Sequence, residues 1–196
     1  MKLPIYQLEI SDDLNDDVEV DFVALVDRPA IERDFLKFKE DKAKFVIQSE
    51  DRRIVSGALM LADTPIYRND QNGEYYVTFT KDTIEKIAQK FFKKGYQSNV
   101  NLMHDEALAV EGVTMYESFI VDSSRGVMAM KGFEDAPEGS WFGSFKVENE
   151  SVWNKIKSGE FKGFSVEGIF NYKKEKQPMS VEESLWSEIC SILEQV

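Results

Sequence analysis

"GSWFGSFKVENESVWNKIKSGEFKGFSVEG", residues 139–168, carries three patterns in immediate succession and sets the expectation for the fold. "SWFGSFKVE" is a β-like run. "ESVWNKIKSG" then changes period: Asn149 or Ser151 can cap a helix, Val152, Trp153 and Ile156 form its apolar face, and Gly159 can stop it. The helix leads straight into "GEFKGFSVEGIF", residues 159–170, a short apolar run with glycines on both sides of one serine. Strand, helix and strand without a long break point to a sheet-rich α+β chain. They also pose the functional question, whether Ser165 is a nucleophile or an ordinary strand serine.

Working outward, "SNVNLMHD", "VEGVTMYESFIVD" and "GVMAMKGF" are further β-like runs, and "SSRG" is the plainest hairpin loop. "RIVSGALMLA" and "EYYVTFT" read as strands joined by "DTPIYRNDQNG", whose Asn72-Gly73 pair is a turn signal. A helix follows, with Asp82 and Glu85 at capping-box spacing, Ile84, Ile87, Ala88 and Phe91 on one face and Gly95 at its end. Nearer the start, "VDFVALVDRPAIE" is a short strand that stops at Asp27-Arg28-Pro29. Past the polar "EKQPM", Ser180 and Glu183 open a third helix carrying Leu185, Ile189 and Leu193. The expected division is an N-terminal extension with a first strand (1–50), a β-rich domain (51–176) and a C-terminal helix (177–196), the middle being a meander or barrel of antiparallel strands.

Charge narrows the partners. With 24 Lys and Arg against 36 Asp and Glu, the net charge is -12, the opposite of what phosphate-backbone binding needs, so nucleic acid is not an expected partner. No window approaches the roughly 20 apolar residues of a bilayer span and the start has no basic, then apolar, leader pattern. Cys190 alone cannot form an internal disulfide and reads as a small hydrophobe on a helix. A soluble, cytoplasmic protein without membrane contact is the expectation.

The chemistry is narrowed by elimination. A nucleophilic serine needs a base, and His104 in "NVNLMHDEA" is the one histidine of the chain. A lone histidine is more often structural than catalytic. The α/β-hydrolase pattern requires G-x-S-x-G followed later by a histidine, whereas here Glu167 stands where the second glycine should be and His104 precedes Ser165. A chymotrypsin-like order is present without its glycine-rich context after the serine. One histidine and one distant cysteine are too few nitrogen and sulfur ligands for hydrolytic zinc, and no phosphate-binding glycine motif occurs, so no metal and no cofactor are expected. Hydrolysis by a Ser-His pair is the remaining enzymatic option.

"FVALVDRPAIE", "IVSGALMLADTPIYR", "NVNLMHD", "MYESFIVD" and the quoted 139–168 segment together resemble the XkdF-like serine proteases of tailed phages and prophages, relatives of the prohead proteases that mature phage capsids. The likeness runs from about Val20 to Tyr172, and its most specific part is an ordered set: His-Asp, Glu-Ser, Trp-x-x-[IV]-x-x-Gly, then Gly-Phe-Ser-[IV]-Glu-Gly. The resemblance implies a mostly antiparallel β-barrel surrounded by helices, as in the herpesvirus assembly proteases. It implies a serine endopeptidase in which Ser165 attacks the scissile carbonyl and His104 takes its proton.

The herpesvirus enzymes place a second histidine after the serine, and this chain has none. An acid must therefore orient His104. Glu117, on the following β-like run, is the first choice by cross-strand pairing, and Glu167, two residues from Ser165 on the same strand face, is the next. Asp105 would point to the opposite face. Gly163, Gly168 and Arg125 are possible oxyanion donors, a role left unassigned. The implied setting is the host bacterial cytoplasm, within the assembling procapsid, with phage scaffold and major capsid proteins as substrates and self-association into a dimer or larger assembly. The rivals are a capsid-assembly or scaffold protein that keeps the fold without the activity, and a structural protein whose acidic N-terminus and C-terminal helix are assembly arms.

Overall fold

The structure, a computed structural model, describes residues 3–27, 45–71 and 73–174. The segment expected to form a third helix, Cys190, Arg28-Pro29 and Asn72 lie outside the described residues. Twelve strands are described: β1 Ile5–Glu9, β2 Val20–Val26, β3 Phe45–Ser49, β4 Ile54–Met60, β5 Ile66–Asp70, β6 Gly73–Thr78, β7 Val100–Leu102, β8 Asp105–Ala109, β9 Val113–Ile120, β10 Trp141–Val147, β11 Gly163–Gly168 and β12 Asn171–Lys174. Two α-helices accompany them, α1 Lys81–Lys93 and α2 Glu150–Lys157.

The strands form three four-stranded sheets, ordered β12-β1-β6-β5, β3-β4-β10-β9 and β11-β2-β7-β8. Most pairs are antiparallel, with β1–β6 and β2–β7 parallel. The expectation of a strand-rich α+β chain holds, and that of a closed barrel does not: among the described residues no sheet closes on itself. The reason is physical. Apolar periodicity shows which faces are buried, whereas closure depends on which edges meet, and each sheet here keeps two outer strands.

β4 is buried along its whole length, as a strand packed on both faces must be. Trp141, Phe91, Phe145, Phe164, Leu25, Leu59, Ile84 and Ile87 form the centre of the core with it. "GVMAMKGF" is not a strand. Only Val127 pairs, bridging Asp122, and the apolar residues that mimic period two instead pack a small satellite cluster, Met130 and Phe133 lying against Val121 and Phe142. β5 went unread in "DTPIYRNDQNG" because it is exposed and polar, with no alternation to betray it.

α2 matches its expected cap: Asn149 accepts from Val152 N, and Val152, Trp153 and Ile156 are buried. α1 begins earlier than its Asp82-Glu85 spacing suggests, because the Thr80 side chain accepts from Thr83 N and serves as cap. Its buried Lys90 gives its protons to three backbone oxygens, Ser11 O at 3.2 Å, Asp13 O at 2.7 Å and Asp16 O at 2.9 Å, and so ties down the acidic "SDDLNDD" loop. The Lys90 ammonium also lies 3.1 Å from Glu19 Oε2, and Lys94 and Tyr96 donate to Glu19 Oε1 at 2.5 and 2.8 Å.

Burial pushes the Glu19 carboxyl up, but the hydrogen bonds from Lys94 and Tyr96 and the Lys90 charge outweigh it and hold the group below its ordinary value near 4.5. A carboxyl depressed in the folded state stabilises fully above its unfolded value, and that contribution is lost as pH falls through the folded value. Glu19→Gln should therefore cost about 3 kcal/mol at neutral pH. It should also flatten the loss of stability below about pH 4.5, read from urea unfolding at a series of pH values. Equal acid slopes in the two proteins would refute this role. The cluster matters for the site because the Glu19 carbonyl receives the Ile169 amide at 2.9 Å, at the end of β11.

Candidate active site

Ser165 sits in the middle of β11, opposite Ala24 of β2, and Ala24 in turn lies beside Asn101 of β7. The row Ser165, Ala24, Asn101 thus crosses the sheet. Alternation puts Ser165 and Glu167 on one face and Phe164 on the other. The Phe164 ring packs against Phe45 of β3 and Phe145 of β10, with centroids 5.4 and 4.6 Å apart, which fixes the strand's rotation and with it the direction of the serine.

The glycine that ends "GFSVEG" has a steric cause. The β11–β2 register shifts between Glu167 and Gly168, and a Cβ on Gly168 would lie 2.0 Å from the Glu19 carbonyl oxygen and 2.8 Å from Val20 Cα, both backbone atoms that cannot swing aside. Gly168→Ala should lower stability by about 3 kcal/mol, the upper end for overpacking, and shift the denaturant midpoint accordingly. An unchanged midpoint would show that the bulge relaxes freely.

The sequence pattern puts His104 at the end of a strand, but β7 stops two residues before it, at Leu102. β7 and β8 are joined by the two-residue turn Met103-His104, both with left-handed backbone, φ +58° and +60°. This is the hairpin geometry that normally recruits Asn and Gly, and a histidine held there costs on the order of 1 kcal/mol. The turn aims the ring at β11. His104 Nδ1 lies 3.2 Å from Glu167 Oε2, and Asn101 Nδ2 donates to the same oxygen at 2.9 Å. Asn101 is fully buried, whereas Glu167 and His104 are partly open, their side chains 27% and 42% exposed.

Holding the imidazole through Nδ1 leaves Nε2 as the nitrogen that can exchange a proton, the division of labour a Ser-His-acid set requires. His104, Ser165, Glu167 and Gly168 line one cavity of about 250 Å³, in which Ser165 is only 5% exposed. The cavity lies where β11 meets β4, β5 and the ends of β1 and β12, so all three sheets contribute to it.

The carboxylate ranked first from sequence is placed elsewhere. Glu117 is on β9, which pairs with β10, not with the hairpin of His104. It faces Ser144, whose hydroxyl donates to Glu117 Oε2 at 2.7 Å and receives the Ser56 hydroxyl at 2.8 Å. Asp105 accepts from its own strand, at Ala107 N. Arg125 does not line the Ser165 cavity. Its guanidinium binds Asp122 at 2.6 Å, and the Ser124 hydroxyl together with Arg125 draws that carboxyl down to about 2.

Two residues were not singled out from sequence. Asn101 had a signal, a polar side chain on an otherwise apolar strand three positions before His104. Arg68 of β5, which lines the cavity, had none, since its strand was not legible.

Residues 42–174, more than half of the chain, match the family described as "Putative phage serine protease XkdF". Over 175 residues the chain is 27% identical to "Uncharacterized protein YqbD" of Bacillus subtilis (strain 168), which covers 85% of this chain and 49% of that protein. Over 169 residues it is 25% identical to "Phage-like element PBSX protein XkdF" of the same strain, covering 81% of this chain and 55% of that protein. The chain thus spans about half the length of the curated relatives it matches. No solved structure matches it. Asn101, His104, Ser165 and Glu167 all fall inside the family match.

Proposed function

We propose, from the premise that this chain belongs to the phage serine protease family XkdF, that it is a serine endopeptidase of head maturation, cutting scaffold and capsid precursor proteins within the procapsid in the host bacterial cytoplasm. The observation that carries this reading is the meeting of Ser165, His104 and Glu167 at one cavity, with Glu167 on the Nδ1 side of the imidazole.

In this reading a substrate carbonyl enters the cavity and Ser165 Oγ attacks it while His104 Nε2 takes the hydroxyl proton. The imidazolium that forms is stabilised by Glu167, and Asn101 keeps that carboxylate turned toward His104. His104 next gives the proton to the departing amine, leaving an acyl group on Ser165. A water molecule, deprotonated by the same nitrogen, then releases the acid product. Self-association and self-cleavage are part of the proposal, and so is a lack of affinity for DNA, which the net charge of -12 favours.

The test is co-expression with the scaffold and major capsid proteins of the same phage, comparing this chain with its Ser165→Ala form and reading precursor masses. Shortened precursors with the native chain alone support the reading. Identical full-length precursors in both cultures sink it, and leave a protease fold retained for assembly without chemistry.

A further inference from the structure

The cavity beside Ser165 has a composition that the reaction itself does not require. Away from the Ser165, His104 and Glu167 wall, it is lined by Leu8, Leu59, Leu61, Ile66, Phe79 and Phe170, an apolar surface with no catalytic task. Arg68 is the one Lys or Arg among its lining residues. The Arg68 guanidinium donates to the neighbouring Tyr67 carbonyl at 3.3 Å, and among the described residues it forms no ion pair. The one carboxylate of the lining, Glu167, is already engaged by Asn101 and His104. β5, which brings Ile66 and Arg68 to the cavity, is the outer strand of its sheet, pairs with β6 alone among the described strands, and is exposed from Tyr67 to Asp70.

We propose, resting on the protease reading above, that this cavity is the specificity pocket of the enzyme. It takes a large aliphatic or aromatic side chain from the residue that supplies the scissile carbonyl, and Arg68 selects an acidic residue beside it in the substrate. An extended peptide laid along β5 adds to the sheet at this outer strand, and its alternate side chains then meet Ile66 and Arg68, which are two residues apart on one strand face. Because Ser165 itself lines the pocket, and a residue of extended chain advances only about 3.3 Å, the entering side chain belongs to a residue at the scissile bond and not to a distant one. A lysine or arginine in the pocket would lose water against an apolar wall and meet Arg68 with like charge, so basic side chains are rejected.

The test uses the full chain and two kinds of probe. A small fluorophosphonate without a peptide reports whether Ser165 is reactive at all, since it forms an Oγ–P bond with loss of fluoride, the serine proton leaving through His104. Peptidyl diphenyl phosphonates carrying Leu, Phe, Ala or Lys at the reacting residue, each with a neighbouring Glu or Lys, form the same Oγ–P bond with loss of phenol and report selectivity through the rate of Ser165 labelling, measured by intact mass. Leu and Phe should label at least about tenfold faster than Ala, the usual discrimination of an apolar pocket, with Lys slowest. A neighbouring Glu should be preferred over Lys by about two- to fivefold, the modest size reflecting an exposed Arg68, and Arg68→Glu should invert that preference. Labelling by the fluorophosphonate combined with equal peptidyl rates, or with a preference for Lys, overturns the specificity inference and leaves the protease reading intact. Failure of both probe classes to label Ser165 overturns the two together.

Discussion

Ser165→Ala should reduce cleavage of a precursor by about 10⁴- to 10⁶-fold, the range seen when the nucleophile of a serine protease is removed and only binding and charge stabilisation remain. The same substitution should leave the fold nearly untouched. The Ser165 side chain is buried, but among the described residues none of the hydrogen bonds that hold β11 uses its hydroxyl, and strand rotation is set by Phe164 between Phe45 and Phe145. Removing one oxygen from a strand whose backbone pairing is intact should move the thermal midpoint by no more than a few degrees. Activity and stability thus separate. A large activity loss with an unchanged melting curve identifies a nucleophile, whereas a large fall in both would make Ser165 a packing residue.

Glu167→Gln should lower turnover by about 10³- to 10⁴-fold with little change in substrate binding, the behaviour expected when the acid behind a catalytic histidine loses its charge but keeps its shape. The glutamine is isosteric and can still meet both Asn101 and His104, so the loss would be electrostatic: no carboxylate faces the imidazolium as it forms. Glu117→Gln is the paired control. Its acceptor role toward Ser144 survives in the amide, and it lines no part of the cavity, so turnover should stay within about twofold. Steady-state kinetics on a cleavable peptide decide between the two. A silent Glu167→Gln with a dead Glu117→Gln would restore the ranking that sequence alone suggested and refute the geometry of the site.

The two carboxylates show where sequence reading stops. Both stand on β-like runs, both follow a plausible pairing rule, and Glu117 is separated from His104 by what reads as a single turn. Between them, however, lies β8, which pairs with β7 and occupies the position next to the histidine's strand, while β9 leaves for the sheet of β4 and β10. A short, largely exposed strand such as β8 has little apolar periodicity, so its insertion could not be seen. The same blindness hid β5 and with it Arg68. It also produced the closed barrel, since three sheets and one rolled sheet bury similar alternating faces.

What the residues alone determined is considerable. Amphipathic spacing located α1 and α2, the cap at Asn149 was legible for α2, apolar runs located most of the strands that carry the core, and the ordered His-Asp to Gly-Phe-Ser-[IV]-Glu-Gly set singled out Ser165 and His104 as the candidate pair in a chain with one histidine. Even the terminal glycine of that set has a local expression, a backbone position where another strand passes too close for a side chain. Only the tertiary structure decided which acid stands behind His104, what the serine's cavity is made of, and which cation waits there. Those are matters of edge pairing between segments far apart in the chain. Periodicity records whether a face is buried, but the partner that buries it is chosen by how whole sheets pack.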